Sequence, residues 1–463
     1  MAGEGSRVAR IVARLSASIA AGTLRAGERI ASVRQAARDQ GVSKNTMAEA
    51  YDRLVAAGCL EARRGSGFFV TAQPVAAVPQ AKPHLAEALD LVSLLREQGE
   101  AHYALRPGDG RPPPAWMERS ELAAHFRLPR QAAGEAPGQA HDYGSAWGYA
   151  PLRERLSLTL AERGIACPPE QLLLTQGANH ALDLIIRQLV EPGDAVLVDD
   201  PGYYPLFAKL SLAKARIIGI PRGSEGPDLA ALDRALATCR PRAFFTQSLA
   251  HNPTGGGLSL PVAHALLQAA ERAGFLIIED DAFADILPAA LPRLAALDGL
   301  RRVLYVGTFS KTLSASLRVG FVAAPPGLAA ALADLKLLTV VATSQYAERL
   351  VCGLIAAGHY RRHLARLQRR VAAATERAVA DLSAAGVTAR APPGGGFYLW
   401  IELPEGSEEA VVCRAAAAES IFLAPGSVFR IERDGARPAL RCNVAHAADP
   451  RFLHFMRGQF GTR

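Results

Sequence analysis

The sequence offers little that would hold a protein together covalently or anchor it in a bilayer. Its six cysteines, Cys59, Cys167, Cys239, Cys352, Cys413 and Cys442, are scattered, and no two form a Cys-x-x-Cys pair. Neither a zinc site nor a disulfide framework is therefore expected, and a reducing cytoplasm is the simplest compartment. No run of about 18 uncharged apolar residues is present, so no membrane-spanning helix is expected. The most apolar stretch, residues 321–343, is broken by Pro325-Pro326, Asp334 and Lys336. Met1 to Arg10 lacks the apolar core of a secretion signal. Metal-ligand spacings are missing, and no metal is expected.

What is present is a globular composition, 49% hydrophobic and 21% charged, over 463 residues, enough for two or three domains. The net charge of +8 is unevenly spread. Residues 1–72 hold 11 Lys/Arg and 6 Asp/Glu, so +5 of it lies in less than a sixth of the chain. That asymmetry points to a nucleic-acid-binding N-terminus.

The first 72 residues carry the pattern of three helices and a hairpin. Val8, Ile11, Val12, Leu15 and Ile19 recur at helical spacing, which predicts a helix over 6–21 ended at Gly22. Ser32 to Arg38 predicts a second short helix stopped near Gly41. Ser43 caps a third that runs to Ala57 and ends at Gly58. Met47, Tyr51, Leu54 and Val55 share one face of the third helix, while Lys44, Asn45, Glu49 and Arg53 lie off it. Two short helices with a tight glycine turn make a helix-turn-helix, whose second helix contacts the major groove from its N-terminus. Arg34, Lys44, Asn45 and Arg53 are the candidate DNA contacts there. Cys59–Arg63 and Gly67–Val70 read as strands around the basic tip Arg64-Gly65-Ser66, a wing that can place Arg64 on phosphate or in the minor groove. Residues 73–104, rich in Pro, Ala and Gln, read as a linker with one amphipathic turn around Leu89–Arg96.

The remainder, 105–463, alternates buried-type strands with helical patterns. Leu172–Thr175, Ala195–Val198, Ala243–Thr246, Phe275–Ile278 and Val303–Val306 are the predicted strands. Such alternation predicts a mostly parallel sheet covered on both faces, with ligands at the carboxyl ends of the strands. The segments found at those ends are Gln176-Gly177-Ala178-Asn179, Asp199 to Pro205, His251-Asn252-Pro253-Thr254-Gly255, Glu279-Asp280-Asp281 and Gly307 to Thr312. A strand that delivers Ser310-Lys311, with Arg318 seven residues on, suggests a lysine at the mouth of an anion site. A lysine amine condenses with an aldehyde and an arginine fork holds a phosphate, and pyridoxal 5'-phosphate (PLP) needs both.

Two resemblances follow from these motifs. The N-terminal run of helix, Gly-x-Leu-x-x-Gly, Ser-x-Arg, Val-Ser-x-Asn-Thr, Tyr-x-x-Leu and Arg-Arg-Gly-Ser-Gly resembles the winged helix-turn-helix of GntR-type transcriptional regulators, with Ala31 where that family often has proline. Asn-Pro-Thr-Gly, Asp-Asp, Ser-Lys and Arg-Val-Gly, in that order, are similar to the fold-type I aminotransferases. The whole chain resembles the MocR subfamily of GntR-type regulators. The fold so implied is α/β: a winged helix-turn-helix followed by a PLP-dependent transferase domain of fold type I. Its large part would span about 140–340 and its small part 105–139 and 341–463.

The resemblance implies a set of roles. Lys311 would bond to the cofactor's aldehyde and Asp280 would face the ring nitrogen, with Asp281 the competing candidate. Asn252 would hydrogen-bond the ring oxygen and Tyr203 would stack on the ring. Gly177, Ala178, Thr308, Ser310 and Arg318 would hold the phosphate. Tyr143 would reach a phosphate across a homodimer, and Arg441 would grip a substrate carboxylate. Two departures stand out: Phe283 replaces a common tyrosine, which removes one hydrogen bond to the ring oxygen, and Gln176 and Ala178 stand where Ser and Thr are common. The glycine run Gly394–Gly396 is a candidate hinge for closure of the small part. Two functions fit: a regulator that senses PLP or an amino compound and binds operator DNA, or a working aminotransferase that carries a DNA-binding head.

Overall fold

The computed structural model describes residues 4–20, 23–63, 66–71, 102–117, 120, 122, 143–287, 293–390, 396–433 and 435–460. They belong to two compact units, one N-terminal and one C-terminal. Residues 73–101 of the predicted linker, the wing-tip residue Arg64 and the glycines Gly394 and Gly395 lie outside the described residues.

In the N-terminal unit α1 spans Glu4–Ala20, α2 Val33–Asp39 and α3 Lys44–Ala56, followed by the antiparallel pair β1 Leu60–Arg63 and β2 Gly67–Val70. Ser32 and Ser43 cap α2 and α3 by accepting the backbone N–H of Gln35 and Thr46, each such cap contributing about 1 kcal/mol. Gly41 and Gly58 take positive φ (+61° and +70°) where the chain leaves α2 and α3, the conformation that glycine adopts at no steric cost. Val8, Ile11, Met47, Ala50, Tyr51, Leu54, Leu60 and Val70 close a single small core. One feature is not legible in the sequence. Residues 28–30 pair with β2 on its free side, through Ile30 N–H to Phe68 O (3.0 Å) and Val70 N–H to Glu28 O (2.9 Å). At Ala31, Tyr51 Oη donates to the backbone carbonyl at 2.9 Å, a tertiary bond that restrains the residue standing in place of the family's proline.

The C-terminal unit is built on an eight-stranded sheet in the order β3-β10-β9-β8-β7-β4-β5-β6. Its strands are β3 Leu172–Thr175, β4 Ala195–Asp200, β5 Arg216–Gly223, β6 Gly226–Pro227, β7 Ala243–Thr246, β8 Leu276–Asp281, β9 Val303–Thr308 and β10 Gly320–Ala323. β5, β4, β7, β8 and β9 pair in parallel, and β10 lies antiparallel between β9 and β3. β5, β6 and β10 are not among the strands that the sequence predicts. β5 carries Gly219 and Pro221 and is only half-buried along much of its length, so no apolar run marks it. The antiparallel β10 has a local consequence: it brings Arg318 and Gly320, at its start, to the same edge of the sheet as the ends of β3 and β9.

A second sheet, β11 Ala389–Arg390, β12 Tyr398–Glu402, β13 Ala424–Pro425 and β14 Ala439–Asn443, is antiparallel in the order β11-β12-β14-β13. Its core holds Leu399, Ile401, Leu440, Phe452 and Met456, and Leu105 packs with them. Val351, Cys352, Leu354 and Tyr360 pack instead with the core of the large sheet. The helix His359–Ala384 therefore starts in one core with Tyr360 and ends in the other with Ala378 and Leu382. Among the described residues no helix is long and apolar enough to cross a membrane, and no His/Cys/Asp/Glu group could hold a metal ion.

Candidate functional site

The carboxyl ends of β3, β4, β7, β8 and β9 converge on one edge of the large sheet, and the candidate residues collect there. Lys311, just past β9, is half-buried, and its Nζ donates to Gly110 O at 2.6 Å. Burial, with Arg441 and Arg111 nearby, pushes its ammonium down to about 8, against the opposing pull of Asp109 and Asp280.

Asp280 and Asp281 are adjacent in β8, so their side chains point to opposite faces. Asp281 Oδ2 accepts from Arg293 Nε (2.7 Å) and Tyr305 Oη (2.5 Å). Asp280 is also buried, but among the described residues its Oδ1 has no hydrogen-bond partner. Its Oδ2 accepts from Gln247 Nε2 at 3.0 Å. Burial pushes the Asp280 carboxyl up to about 7, reinforced by Asp281 and opposed by Gln247 and Lys311. A buried carboxylate oxygen without a donor is costly unless a proton or cation meets it. Of the two, it is Asp280 that keeps an oxygen without a donor among the described residues.

Gln247 belongs to none of the sequence motifs. It bridges the site: its Oε1 accepts the Asn252 N–H at 2.7 Å while its Nε2 holds Asp280. Asn252 Oδ1 in turn accepts from Arg441 Nη1 at 3.0 Å. Arg441, on β14, is buried, lies 4.6 Å from the Tyr398 ring centroid and 4.9 Å from that of Phe429, and donates from Nη2 to Gly108 O at 2.6 Å. Its Nε has no hydrogen-bond partner among the described residues.

The segment 105–111 thus touches both cationic residues of the site. It is held by Gly108 N–H to Phe422 O and by Asn443 Nδ2 to the carbonyls of Asp109 (3.0 Å) and Arg111 (2.8 Å). A Cβ at Gly108 would lie 2.6 Å from Ala424 N, so only glycine permits this approach. Tyr398 Oη also donates to Gly110 O, at 2.9 Å.

Phe283 is buried against Tyr398, with ring centroids 5.2 Å apart, and Lys311 Nζ stands 5.4 Å from the Phe283 centroid. The site therefore presents a hydrocarbon edge where a phenol is common in the family. Tyr203, at the end of β4, is half-buried, and burial near Asp280 raises its phenol above the usual value. His251 is buried, and its Nδ1 lies 2.8 Å from Thr254 Oγ1, which is a structural role.

The anion side lies at the start of the helix Ala178–Leu189, which has no side-chain cap. Gly177 there adopts φ +76°, and a Cβ would come within 2.9 Å of Arg318 Nη2. A Cβ on Gly320 would lie 2.7 Å from the Gly177 backbone. Arg318 Nη2 donates to Gln176 O (2.8 Å) and Nη1 to Ser310 Oγ (3.3 Å), while Thr308 Oγ1 donates to Ser310 Oγ (3.1 Å). A guanidinium, two hydroxyls and an uncapped helix start with the small residues Gly177 and Ala178 form a cradle for a phosphate. Tyr143 stands apart from these contacts, 87% exposed.

In the N-terminal unit, Arg34, Lys44, Asn45 and Arg53 are all exposed. Lys44 and Asn45 open α3, and Arg53, in its last turn, pairs with Glu49 at 2.8 Å.

Residues 103–455 match the family model "Aminotransferase class I and II", and residues 7–70 match "Bacterial regulatory proteins, gntR family". The chain is a member of the MocR subfamily: a GntR head on an aminotransferase class I and II body. It is 32% identical over 367 residues to the probable rhizopine catabolism regulatory protein MocR of Rhizobium meliloti, covering 77% of this chain and 73% of the other. It is 33% identical over 364 residues to a 2-aminoadipate transaminase of Thermus thermophilus, covering 77% and 88%. Among solved structures it is similar to the α-aminoadipate aminotransferase LysN of Thermus thermophilus, complexed with N-(5'-phosphopyridoxyl)-L-leucine, at TM-score 0.72 and 30% identity over 81% of this chain and 96% of that one. Membership in this family indicates PLP as the cofactor, in agreement with the unpartnered Asp280 oxygen and the glycine-lined phosphate cradle. For a MocR-type chain the GntR head implies binding to DNA.

Proposed function

We propose that this protein is a transcriptional regulator whose aminotransferase-like body senses PLP or an amino compound and passes the signal to the GntR head. The observation that carries this reading is a GntR head on the same chain as an aminotransferase class I and II body whose sequence keeps Lys311, Asp280, Asn252 and Arg318. Bound PLP supplies an aldehyde reactive toward amines and a ring that draws electrons when its nitrogen is protonated. In this reading Lys311 holds the cofactor covalently and Asp280 keeps the ring nitrogen protonated. Asn252 donates to the ring oxygen and Tyr203 packs on the ring. Gly177, Ala178, Thr308, Ser310 and Arg318 hold the phosphate. Arg441 takes the carboxylate of an amino compound in place of its present bonds to Gly108 and Asn252.

Operator DNA is the macromolecular partner, reached by Arg34, Lys44, Asn45, Arg53 and Arg64. The active form is a homodimer. Support comes from a run of exposed apolar side chains: Tyr143 (87%), Leu338 (85%), Leu337, Val341 and Tyr346. Gly144, beside Tyr143, lies against Ala342 and Gln345, the chain neighbours of Val341 and Tyr346. An apolar surface of this kind marks an interface, and Tyr143 would cross it toward the partner's phosphate. The domain limits that go with this reading are 1–72, 73–104 and 105–463.

A second reading, an active amino acid:2-oxo acid aminotransferase with a DNA-binding head, is favoured by the likeness to a 2-aminoadipate transaminase and by the completeness of the site. Two measurements separate them: steady-state transamination with common amino acids, and DNA affinity of wild type and Lys311→Ala with and without PLP. A regulator shows a PLP-dependent change in affinity that Lys311→Ala loses. A ligand shifts the DNA affinity only by its own preference between the two states, typically 1–3 kcal/mol. Equal affinities in all four conditions, together with turnover, favour the enzyme.

A further inference from the structure

A cleft of about 750 Å³ lies between the two sheets of the C-terminal unit and takes no part in the PLP site. On one side stand Asp200 at the end of β4, Pro221 and Arg222 of β5, and Thr254. On the other stand Val387, Trp400 and Glu402 of β12, Leu403, and Phe460 at the end of the helix Pro450–Phe460. None of Lys311, Asp280, Asn252, Tyr203 and Arg441 lines it. The two sites share a wall instead. Arg441 lies 4.9 Å from the Phe429 ring centroid, and the Phe429 and Trp400 centroids are 6.1 Å apart. A cavity of this size suits a small organic molecule.

Three arginines reach the cleft, and two of them are committed to the protein itself. Arg222 donates to Asp199, to Thr246 and to the carbonyls of Gln247 and Gly257. Arg437 pairs with Glu402 at 3.0 Å. Arg430 differs. Among the described residues no acceptor meets its side chain, and its Nε is buried without a partner. Its guanidinium lies 5.7 Å from the Trp400 ring centroid, within reach of a cation–π contact that restrains it. Asp200 attracts it through space but is engaged elsewhere. Asp200 Oδ2 accepts the backbone N–H of Ile431 (3.3 Å) and of Glu432 (3.4 Å). Those bonds tie the chain just after Arg430 to the end of β4. A half-buried fork of N–H donors is thus held from two directions, with no acceptor opposite it among the described residues.

The rest of the wall selects what accompanies an acceptor. Pro221, Val387, Trp400, Leu403 and Phe460 are apolar, and covering them favours a hydrocarbon body. Asp200 and Glu402 add negative charge, which disfavours a multiply charged anion such as phosphate. A single carboxylate matches the two terminal nitrogens of an arginine.

We propose that this cleft is a second ligand site, separate from the PLP site, for a small organic monocarboxylate with an apolar body. Arg430 holds the carboxylate, and the body lies along Trp400.

The test titrates indole-3-acetate, phenylacetate and hexanoate into full-length, PLP-loaded protein by calorimetry. At least one of them should bind, with one molecule per chain. Its neutral amide should bind roughly tenfold more weakly or worse, because the charge-assisted bonds are lost. Arg430→Gln should cost a similar factor, whereas Arg430→Lys should keep part of the affinity as a point charge without the fork. PLP absorbance and sedimentation should match wild type in both variants. Binding should persist when cofactor-free protein is first filled with N-(5'-phosphopyridoxyl)-L-leucine, which occupies the PLP site. Loss of binding on that filling would place the carboxylate at the PLP site and overturn the proposal. Equal affinity for acid and amide, or wild-type affinity in Arg430→Gln, overturns it as well. If none of the three acids binds the wild type, the cleft is a solvent-filled gap between the sheets and the proposal falls.

Discussion

Gln247 steers Asp280: its side-chain N–H donates to Asp280 Oδ2 at 3.0 Å, and its own oxygen is fixed by the Asn252 N–H at 2.7 Å. The amide cannot turn without breaking both bonds, so Asp280 Oδ1 stays presented to the site. In Gln247→Leu the buried carboxylate loses its donor, a loss of about 1–3 kcal/mol. PLP affinity should fall about tenfold or more, and the pH at which the bound cofactor's visible spectrum changes should shift. An unchanged Kd and pH profile would show that Gln247 only packs.

The raised Asp280 pKa has a consequence for stability. Its folded value, about 7, lies above the ordinary 3.8. Stability linked to it is fully present below 3.8 and is lost as pH rises through about 7. In the cofactor-free protein, Asp280→Asn should remove this loss. The Tm of the variant relative to wild type should therefore rise between about pH 4 and pH 7, whereas PLP should narrow the gap. A Tm difference that is flat with pH contradicts the assignment.

Lys311 is depressed to about 8, so its neutral amine becomes available well below the pH at which an ordinary lysine loses its proton. Modification of Lys311 in cofactor-free protein by an amine-directed reagent, followed by peptide mapping, should titrate with a midpoint near 8. Lys311→Ala should retain the fold yet release all PLP on denaturation after borohydride treatment. Covalent PLP found at another lysine in that variant would displace Lys311 from its role.

Tyr143 is expected to act across a subunit boundary. Sedimentation should give a PLP-bound dimer, and Tyr143→Ala should weaken PLP retention while the dimer persists. A stable PLP-bound monomer, or a Tyr143→Ala protein with wild-type PLP affinity, speaks against that role.

The head makes a graded prediction. Alanine at a phosphate-contacting cation among Arg34, Lys44, Arg53 and Arg64 should weaken binding to every sequence and reduce the salt slope by roughly one. Alanine at Asn45, if it reaches a base edge, should cost about 1–3 kcal/mol on the preferred site alone. Ser43→Ala should lower the head's stability by about 1 kcal/mol, since the Ser43 side chain accepts the Thr46 N–H. Operator binding by the quadruple variant Arg34→Ala/Lys44→Ala/Asn45→Ala/Arg64→Ala equal to that of wild type would refute the winged-helix assignment.

Much of this protein is determined by local chemistry, and that part is legible in the sequence. Helix ends at Ser32, Ser43, Gly41 and Gly58 depend on caps and φ preferences that neighbouring residues set. β3 and β7 are short apolar runs that can only be buried. Lys311, Arg318, Asn252 and the Asp280-Asp281 pair stand out because their order along the chain follows the strand ends. What tertiary structure decided are relationships between distant segments. The antiparallel insertion of β10 between β3 and β9 brings Arg318 beside Gly177. Strand alternation, once β8 was in register with β9, sent Asp281 to Arg293 and Tyr305 and left Asp280 facing the site. Gln247 and Tyr398 carry no motif, and the segment 105–111 reaches Lys311 across 201 residues of sequence. Periodicity and spacing report only on neighbours along the chain. Which polar atom meets which across a closed core is settled by packing, because each buried donor and acceptor must find its partner there.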